Sequence, residues 1–281
     1  MNSMSYLKRR IVNRTMLLLS YGSAVLGVVV LFLILSYIVV KGMSSINLDF
    51  FIKLPKPTGE TGGGIANAIV GSFIVVGIAS VIAIPVGVMS GIYLSEFGKN
   101  WFASLVRYFA DVMNGIPSIV TGIVAYVFVV VPMHRFSALA GGIALSMMMI
   151  PIITRTSEEL IRMVPDTIRE AGLALGIPQW KVIMFVVLRT ASTGIVTGIM
   201  LAVARVGGET APLLFTAFNN SFMSLRLDQP ISTMTVLIYN YASSPYPDWN
   251  TIAWGTAFLL IVIILIVNIV SKVFTNTKYS L

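Results

Sequence analysis

The sequence contains no cysteine, one histidine and few charged residues. Without cysteine the chain forms no disulfide and no thiolate metal site, and it has no cysteine nucleophile. The one histidine, His134, cannot form a histidine metal cluster, and we interpret it as a polar residue where a helix leaves the bilayer. Charged residues make up 11% of the chain, whereas a typical soluble domain has about 25%. With 57% hydrophobic residues, the composition indicates an integral membrane protein.

Long apolar runs account for this composition. A run of about 20 apolar residues is long enough to cross a bilayer as a helix. The sequence has six such runs, which predict an all-α membrane protein with one transmembrane domain over residues 1–281. Their approximate bounds are 16–40, 65–94, 115–132, 137–153, 191–214 and 252–270, and the third could begin earlier, near Trp101. A polar segment of residues 155–189 joins the fourth and fifth runs.

Basic residues are distributed unevenly about these runs. Six spans place both termini on the same side of the membrane. If that side is the cytoplasm, thirteen of the 19 Lys and Arg residues lie inside, five lie outside, and Arg205 lies within a span. Because basic residues accumulate in cytoplasmic loops, we expect cytoplasmic termini. The same rule explains the net charge of +8 without nucleic acid as a partner.

The segment 155–189 carries the signals of two short helices that meet at a corner. Pro165 and Asp166 are typical of a helix start. Gly176 and Pro178 are typical of a helix stop and a turn. An unstructured linker would not need these signals, so we expect a helical corner on the cytoplasmic side.

The corner reads REAGLALGIPQWKVIMFVVLR and resembles the cytoplasmic EAA loop of ABC-importer permeases. Glu170, Ala171 and Gly172 stand at the E-A-A positions, and Gly176 stands at the glycine that follows. The chain departs from the pattern at Gly172, Val186 and Arg189. The resemblance implies a coupling helix that docks on a cytoplasmic ATPase subunit, and the small residues Ala171, Gly172, Ala174 and Gly176 predict a face that such a surface can approach. The alternative is an amphipathic helix that lies on lipid headgroups.

Three further segments resemble permease subunits of phosphate importers. They are residues 62–97, residues 114–128 (NGIPSIVTGIVAYVF) and residues 204–218 (ARVGGETAPLLFTAF), the last being similar to the A-type (PstA-type) subunit. The resemblance implies the type I ABC importer permease fold, with six transmembrane helices and a cytoplasmic coupling helix. It also implies a location in the inner membrane of a bacterial or archaeal cell.

The resemblance further implies a set of partners. They are a second phosphate permease (PstC type), two ATPase subunits (PstB type), an external phosphate-binding protein (PstS type) and membrane lipid. The sequence has no G-x-x-x-x-G-K-[ST] phosphate-binding loop. We therefore expect ATP to bind to the ATPase partner, and we expect this chain to be a transport subunit, not an enzyme, with no cofactor or metal of its own.

Two charges stand in the otherwise apolar or small stretch LAVARVGGETAPLLF, residues 201–215. Residues four apart share a helix face, so Arg205 and Glu209 are expected to pair within the fifth span. A charge at mid-bilayer costs roughly 2.5–3.5 kcal/mol, and a guanidinium matches two oxygens of phosphate. We expect Arg205 to line the substrate path, Glu209 to be its resting partner or an acceptor from phosphate, and Thr210 to add a donor. The alternative is an ion pair that serves helix packing only.

Glycine and proline positions predict where helices pack closely or break. Two G-x-x-x-G pairs permit close helix contact, namely Gly87 with Gly91 and Gly194 with Gly198. Three prolines within or at the ends of spans favour a kink or break, namely Pro85, Pro117 and Pro212. Both sets of residues are also compatible with a role in packing alone.

Three functions remain open from the sequence. The first is the membrane-spanning subunit of an ATP-driven inorganic phosphate importer, which forms the translocation path with a second permease. The second is a permease subunit for another oxyanion such as sulfate or molybdate, which neighbouring genes would distinguish. The third is a membrane scaffold or sensor subunit, which predicts no uptake defect on deletion. An ion-driven transporter would normally show repeated halves, and no clear repeat is present.

Overall fold

The computed structural model describes residues 3–60 and 62–276, with side chains in residues 8–60 and 62–273. Regular structure in these residues is helical, without a strand. In chain order the helices are α1 (Ser3–Met43), α2 (Leu48–Ile52), α3 (Ala66–Glu96), α4 (Trp101–Gly115), α5 (Ser118–Met133), α6 (Ala138–Arg162), α7 (Asp166–Ala174), α8 (Gln179–Gly207), α9 (Ala211–Leu214), α10 (Met234–Ala242) and α11 (Pro247–Asn276). Helices α5 and α8 contain π-helical turns at Tyr126–Val130 and Val182–Val187.

Five of these helices, α1, α3, α6, α8 and α11, are long and apolar enough to cross a membrane. Helices α4 and α5 meet the same criterion only as a pair, which is bent by 108°. The predicted all-α membrane fold is confirmed, and the bent pair takes the place of a sixth straight helix. The chain termini, residues 1–2 and 277–281, and with them Lys278, lie outside the described residues.

The bend between α4 and α5 has a local cause. Ile116 precedes Pro117 and is extended, with φ −73° and ψ 133°, because a proline disfavours the helical conformation in the residue before it. Helix α5 alone is about 24 Å long, which is shorter than the roughly 30 Å hydrocarbon core. It ends at His134, which is exposed and adopts the left-handed conformation at φ 53°. The histidine therefore terminates α5, and its position relative to the bilayer stays a prediction.

Helices α6 and α8 differ in length from the fourth and fifth predicted spans. Helix α6 continues to Arg162, beyond the predicted end at residue 153. Helix α8 begins at Gln179, before the predicted start at residue 191, and it ends at Gly207 instead of residue 214. Most of the polar segment 155–189 is therefore helical. The extra turns of α6 bring Arg155 and Glu158 beside α4.

The glycine pairs bring three helices into close contact. A Cβ atom on Gly91 of α3 would lie 2.5 Å from the Ser157 Cβ and 2.9 Å from the Thr154 carbonyl oxygen of α6. Gly87 meets Ile153 of α6 in the same way. The second pair brings α8 against α6, where Gly194 faces Leu160 and Gly198 faces Thr156. The prediction that both G-x-x-x-G pairs permit close helix contact is confirmed.

A Gly91→Ala substitution is expected to lower the free energy of unfolding by about 1–3 kcal/mol, because the added methyl group overpacks a backbone contact. The matched control is Gly77→Ala in the same helix, since a Cβ on Gly77 would meet nothing within 4 Å. That change should be neutral, or stabilise α3 by up to about 1 kcal/mol. Thermal unfolding of the purified complex in detergent measures both. Equal effects at the two glycines would contradict a tight α3–α6 contact.

The segment between α9 and α10 covers the start of α6. Backbone N–H groups of Ala138 and Leu139 donate to the carbonyl oxygens of Gln229 and Leu227, both at 3.0 Å. These bonds satisfy amides that have no partner within the first turn of a helix. On the exposed side of the segment, hydrogen bonds from Arg226 hold the pKa of the Asp228 carboxyl below its ordinary value. Neither this cover nor α10 was predicted from hydrophobic runs.

Candidate functional site

The predicted corner is present between α7 and α8. Helix α7 begins directly after Pro165. Beyond its end, Gly176 adopts φ 74°, and its N–H donates to the Leu173 carbonyl oxygen at 2.9 Å. A left-handed glycine in this place satisfies carbonyl groups at a helix end without Cβ strain. Pro178 then precedes the first turn of α8, so the two helices meet at a defined turn.

Three of the four predicted coupling residues are accessible. Glu170, Ala171 and Gly176 are exposed. Gly172 is buried, and a Cβ there would lie 2.9 Å from the Cγ2 atom of Val182. The predicted small-residue face is therefore wrong at Gly172. The missing side chain of Gly172 instead lets α7 approach the π-helical turn of α8. The accessible face also carries two leucines, Leu173 and Leu175, with 48% and 79% of their surface exposed.

Arg169 of α7 makes the most hydrogen bonds at the corner. It was not among the site residues predicted from the sequence. Arg169 forms an ion pair with Glu96, the last residue of α3, with the Nη2 atom 2.9 Å from Oε1. The same Nη2 atom donates to the Ile161 carbonyl oxygen at 2.9 Å. Its Nη1 atom donates to the Val164 carbonyl oxygen and to Asp166. The guanidinium thus joins α7 to the ends of α3 and α6.

A second charged cluster lies at the same end of the helices. Glu158 of α6 is 1% exposed and receives three guanidinium groups. The distances are 2.5 Å to Arg107 of α4, 2.8 Å to Arg155 and 2.8 Å to Arg162. Arg155 also pairs with Asp111 of α4 at 2.9 Å. Arg107 donates further hydrogen bonds to the carbonyl oxygens at the end of α3, Leu94 and Gly98.

The sequence does contain a signal for part of this cluster. Arg155, Glu158 and Arg162 have the i, i+3 and i, i+4 spacing of neighbours on one helix face. Because the fourth predicted span ended at residue 153, these residues were assigned to a polar loop. The contribution of Arg107 and Asp111 has no local signal, since both belong to another helix.

The predicted pair of Arg205 and Glu209 is absent from the described ion pairs, and the prediction that they share a helix face is wrong. Helix α8 ends at Gly207, and Glu209 lies beyond its last turn. Consecutive glycines disfavour a helix by about 1 kcal/mol each. Pro212 lacks the N–H that a continuing helix would need. The chain therefore breaks at these residues and resumes as α9.

The break borders a small cavity between helices. A small cavity beside Gly207 is lined in part by Ser72 of α3 and by Thr233 and Thr235 at the start of α10. Ser72 stands about 9 Å from the start of α3, so the break lies at the end of the bundle remote from α7. Around it, Arg205 is exposed in this single chain, and Glu209 and Thr210 are half-buried.

The structure therefore separates the predicted site residues into two groups. Glu170, Ala171, Gly172 and Gly176 lie at the corner, and Arg205, Glu209 and Thr210 lie at the break. Helices α3 and α8 run between the two groups. Within residues 3–60 and 62–276, no three His, Asp or Glu side chains come together in a way that could hold a metal ion.

Residues 83–277 match the family described as "Binding-protein-dependent transport system inner membrane component". This chain belongs to that family. The matched residues include both the corner and the break. Membership identifies the chain as a multi-pass inner-membrane permease subunit, a class that works with an ATPase and a binding protein.

Relatives match over almost the whole chain. The phosphate transport system permease protein PstA of Haemophilus influenzae is 42% identical over 271 residues, which cover 96% of both chains. The protein of the same name from Yersinia pestis is 43% identical over 271 residues, covering 96% of this chain and 92% of the relative. PstA 1 of Mycobacterium tuberculosis strain H37Rv is 32% identical over 271 residues, with 94% and 87% covered.

Solved structures support the fold. A chain of the inward-facing MetNI methionine ABC transporter superposes with a TM-score of 0.60 at 17% identity, covering 76% of this chain and 94% of that chain. An amino acid ABC transporter with histidines gives a TM-score of 0.57 at 16% identity, covering 76% and 93%. At these identities the likeness concerns the fold, and it agrees with the predicted ABC-importer permease architecture.

Proposed function

We propose that this chain is the A-type membrane-spanning subunit of an ATP-driven importer of inorganic phosphate. The observation that carries the proposal is the near-full-length similarity to phosphate transport permeases. The chain forms the translocation path together with a second permease of the PstC type. An external phosphate-binding protein of the PstS type delivers the anion, and both termini of this chain lie in the cytoplasm.

The corner of α7 and α8 is the docking site for the ATPase. Its accessible face combines the exposed leucines Leu173 and Leu175 with Ala171 and Gly176, which offer little bulk to an approaching surface. Glu170 adds an exposed acceptor at one edge of this face. Two ATPase subunits of the PstB type serve the two permeases, bind the nucleotide and hydrolyse it.

The break after α8 lies on the substrate path. Arg205 is exposed on a surface of the single chain that a second permease would cover, and its guanidinium can hold two oxygens of a phosphate anion. Glu209 and Thr210 lie in the connection that follows, where their oxygens can contact a phosphate hydroxyl group. In this arrangement Glu209 does not neutralise Arg205 along a helix face.

The proposed function is tested by deleting the gene for this chain and measuring the uptake of labelled anions by the cells. We expect loss of phosphate uptake and its recovery on expression of the intact chain, while sulfate and molybdate uptake remain normal. Loss of sulfate or molybdate uptake with normal phosphate uptake would instead establish the alternative oxyanion permease. Normal uptake of all three anions would contradict a transport function.

Cysteine crosslinking tests the docking site, because this chain has no native cysteine. Ala171→Cys is expected to crosslink to the ATPase subunit in the assembled complex. The matched control is Val182→Cys, since Val182 lies on the inner side of the same corner and is 2% exposed; it should give less than about a tenth of the crosslinked product. Equal yields, or no crosslink at position 171 in an intact complex, would contradict docking through α7.

A further inference from the structure

We propose that Arg169 is the positioning residue that transmits movement of α7 to α3. The inference rests on the proposed docking of α7 on an ATPase. Arg169 does not meet nucleotide or anion in this role. The ATPase moves α7, and α3 reaches the break near Arg205. The ion pair of Arg169 with Glu96 joins these two helices.

The hydrogen bonds of Arg169 leave none of its donors unused. The Nε atom donates to Glu96 at 3.2 Å, and Nη2 donates to Glu96 and to the Ile161 carbonyl oxygen, both at 2.9 Å. The Nη1 atom donates to the Val164 carbonyl oxygen and to Asp166. A guanidinium has five N–H groups in a rigid plane, and these contacts engage all five. A single side chain therefore holds α7 against the ends of both α3 and α6.

This link is shielded from water. Only 18% of the Arg169 side chain and 7% of the Glu96 side chain are exposed. An ion pair with little solvent around it is screened less than a surface pair. The neighbouring pair of Arg169 with Asp166 is different, because 88% of the Asp166 side chain is exposed. Glu96 is thus the shielded charged partner through which a displacement of α7 acts on α3.

Helix α3 connects the two parts of the site. Its last residue is Glu96, and its Ser72 lines the cavity beside Gly207 at the break. Helix α7 otherwise packs mainly against the π-helical turn of α8, where Gly172 meets Val182. Movement of α7 can therefore reach the break by two helices. The Arg169–Glu96 pair makes α3 move together with α8.

The test uses the complete transporter in proteoliposomes with its binding protein. The measured quantity is phosphate transported per ATP hydrolysed, in Arg169→Lys and Glu96→Gln. Lysine keeps the positive charge but not the planar fork, and glutamine keeps the shape but not the negative charge. We expect both complexes to assemble and hydrolyse ATP, with transport per ATP lowered by about threefold to tenfold. The matched control, Arg226→Lys in the exposed segment before α10, should leave the ratio unchanged.

The outcomes separate the inference from the proposed function. If the unaltered complex transports no phosphate, the proposed function is wrong, whatever the variants do. If the unaltered complex transports phosphate and both variants keep its ratio, the inference is wrong. A fall in transport and hydrolysis by the same factor indicates a merely structural role and also contradicts it.

A covalent link gives an independent measurement. The double variant Glu96→Cys with Arg169→Cys removes the ion pair and introduces the only two cysteines of this subunit. A short bismaleimide linker, which forms one thioether bond to each thiol, then joins α3 to α7. We expect linking to restore at least about half of the lost transport per ATP. Unchanged uncoupling after confirmed linking would overturn the inference.

Discussion

Arg205→Ala is expected to reduce phosphate uptake by about tenfold to a hundredfold, because a hydrogen bond to a charged group contributes about 1.5–3 kcal/mol. The loss should exceed that of Arg205→Lys, since lysine keeps the charge and loses only the two-oxygen geometry. Uptake of labelled phosphate by cells, at equal amounts of assembled complex, measures both variants. Because Arg205 is exposed, its replacement should leave the fold intact, and the assembly measurement checks this.

The matched control is Arg226→Ala. Arg226 is also an exposed arginine, but it pairs with Asp228 at 3.1 Å in the segment before α10. Its removal should leave uptake within about twofold of normal, since exposed ion pairs contribute little. Normal uptake in Arg205→Ala, with the complex intact, would remove Arg205 from the substrate path. An equal loss in both variants would indicate a general effect of basic charge.

Glu158→Gln is expected to destabilise the protein by about 3 kcal/mol, the lower end of the range for breaking a buried ion pair. Glu158 is 1% exposed and is shared by three guanidinium groups. Without the carboxylate, these positive charges repel one another between the middle of α4 and the end of α6. The lower end of the range applies because Arg162 is 51% exposed and can turn towards water.

The matched control for this change is Asp49→Asn, which also converts a carboxylate to an amide. Asp49 pairs with Lys53 at 2.6 Å, but both side chains are more than half exposed. Such a pair contributes about 0–1 kcal/mol. Thermal unfolding of the detergent-solubilised complex compares the two variants. A similar fall in the unfolding midpoint for both would show that the Glu158 cluster does not hold α4 and α6 together.

Some features of this fold could be predicted from short stretches of sequence. The spans follow from apolar runs, because a backbone in lipid must satisfy its hydrogen bonds within a helix. The corner follows from Pro165, Gly176 and Pro178, since proline and glycine restrict or permit particular backbone angles locally. The glycine pairs were also predictable, because a missing Cβ permits close approach in whichever direction the helix faces.

Other features depend on which helices become neighbours. The fifth span was expected to hold Arg205 and Glu209 on one face, but the chain breaks between them. The break combines locally weak helix formers with a cavity that is also lined by residues of α3 and α10. Similarly, Gly172 was expected to face a partner, yet it faces Val182 because α7 folds back onto α8.

The sequence by itself determined the membrane class, the approximate spans, the corner and the family. Each of these is encoded by hydrophobicity, by backbone restriction or by a contiguous motif. Only the tertiary structure decided the charged contacts at the helix ends, since Arg169 and Glu96 are 73 positions apart and Arg107 and Glu158 are 51 apart. Hydrophobic periodicity says which face of a helix is buried but not which helix covers it. Partners of buried charges at such separations are therefore set by helix packing.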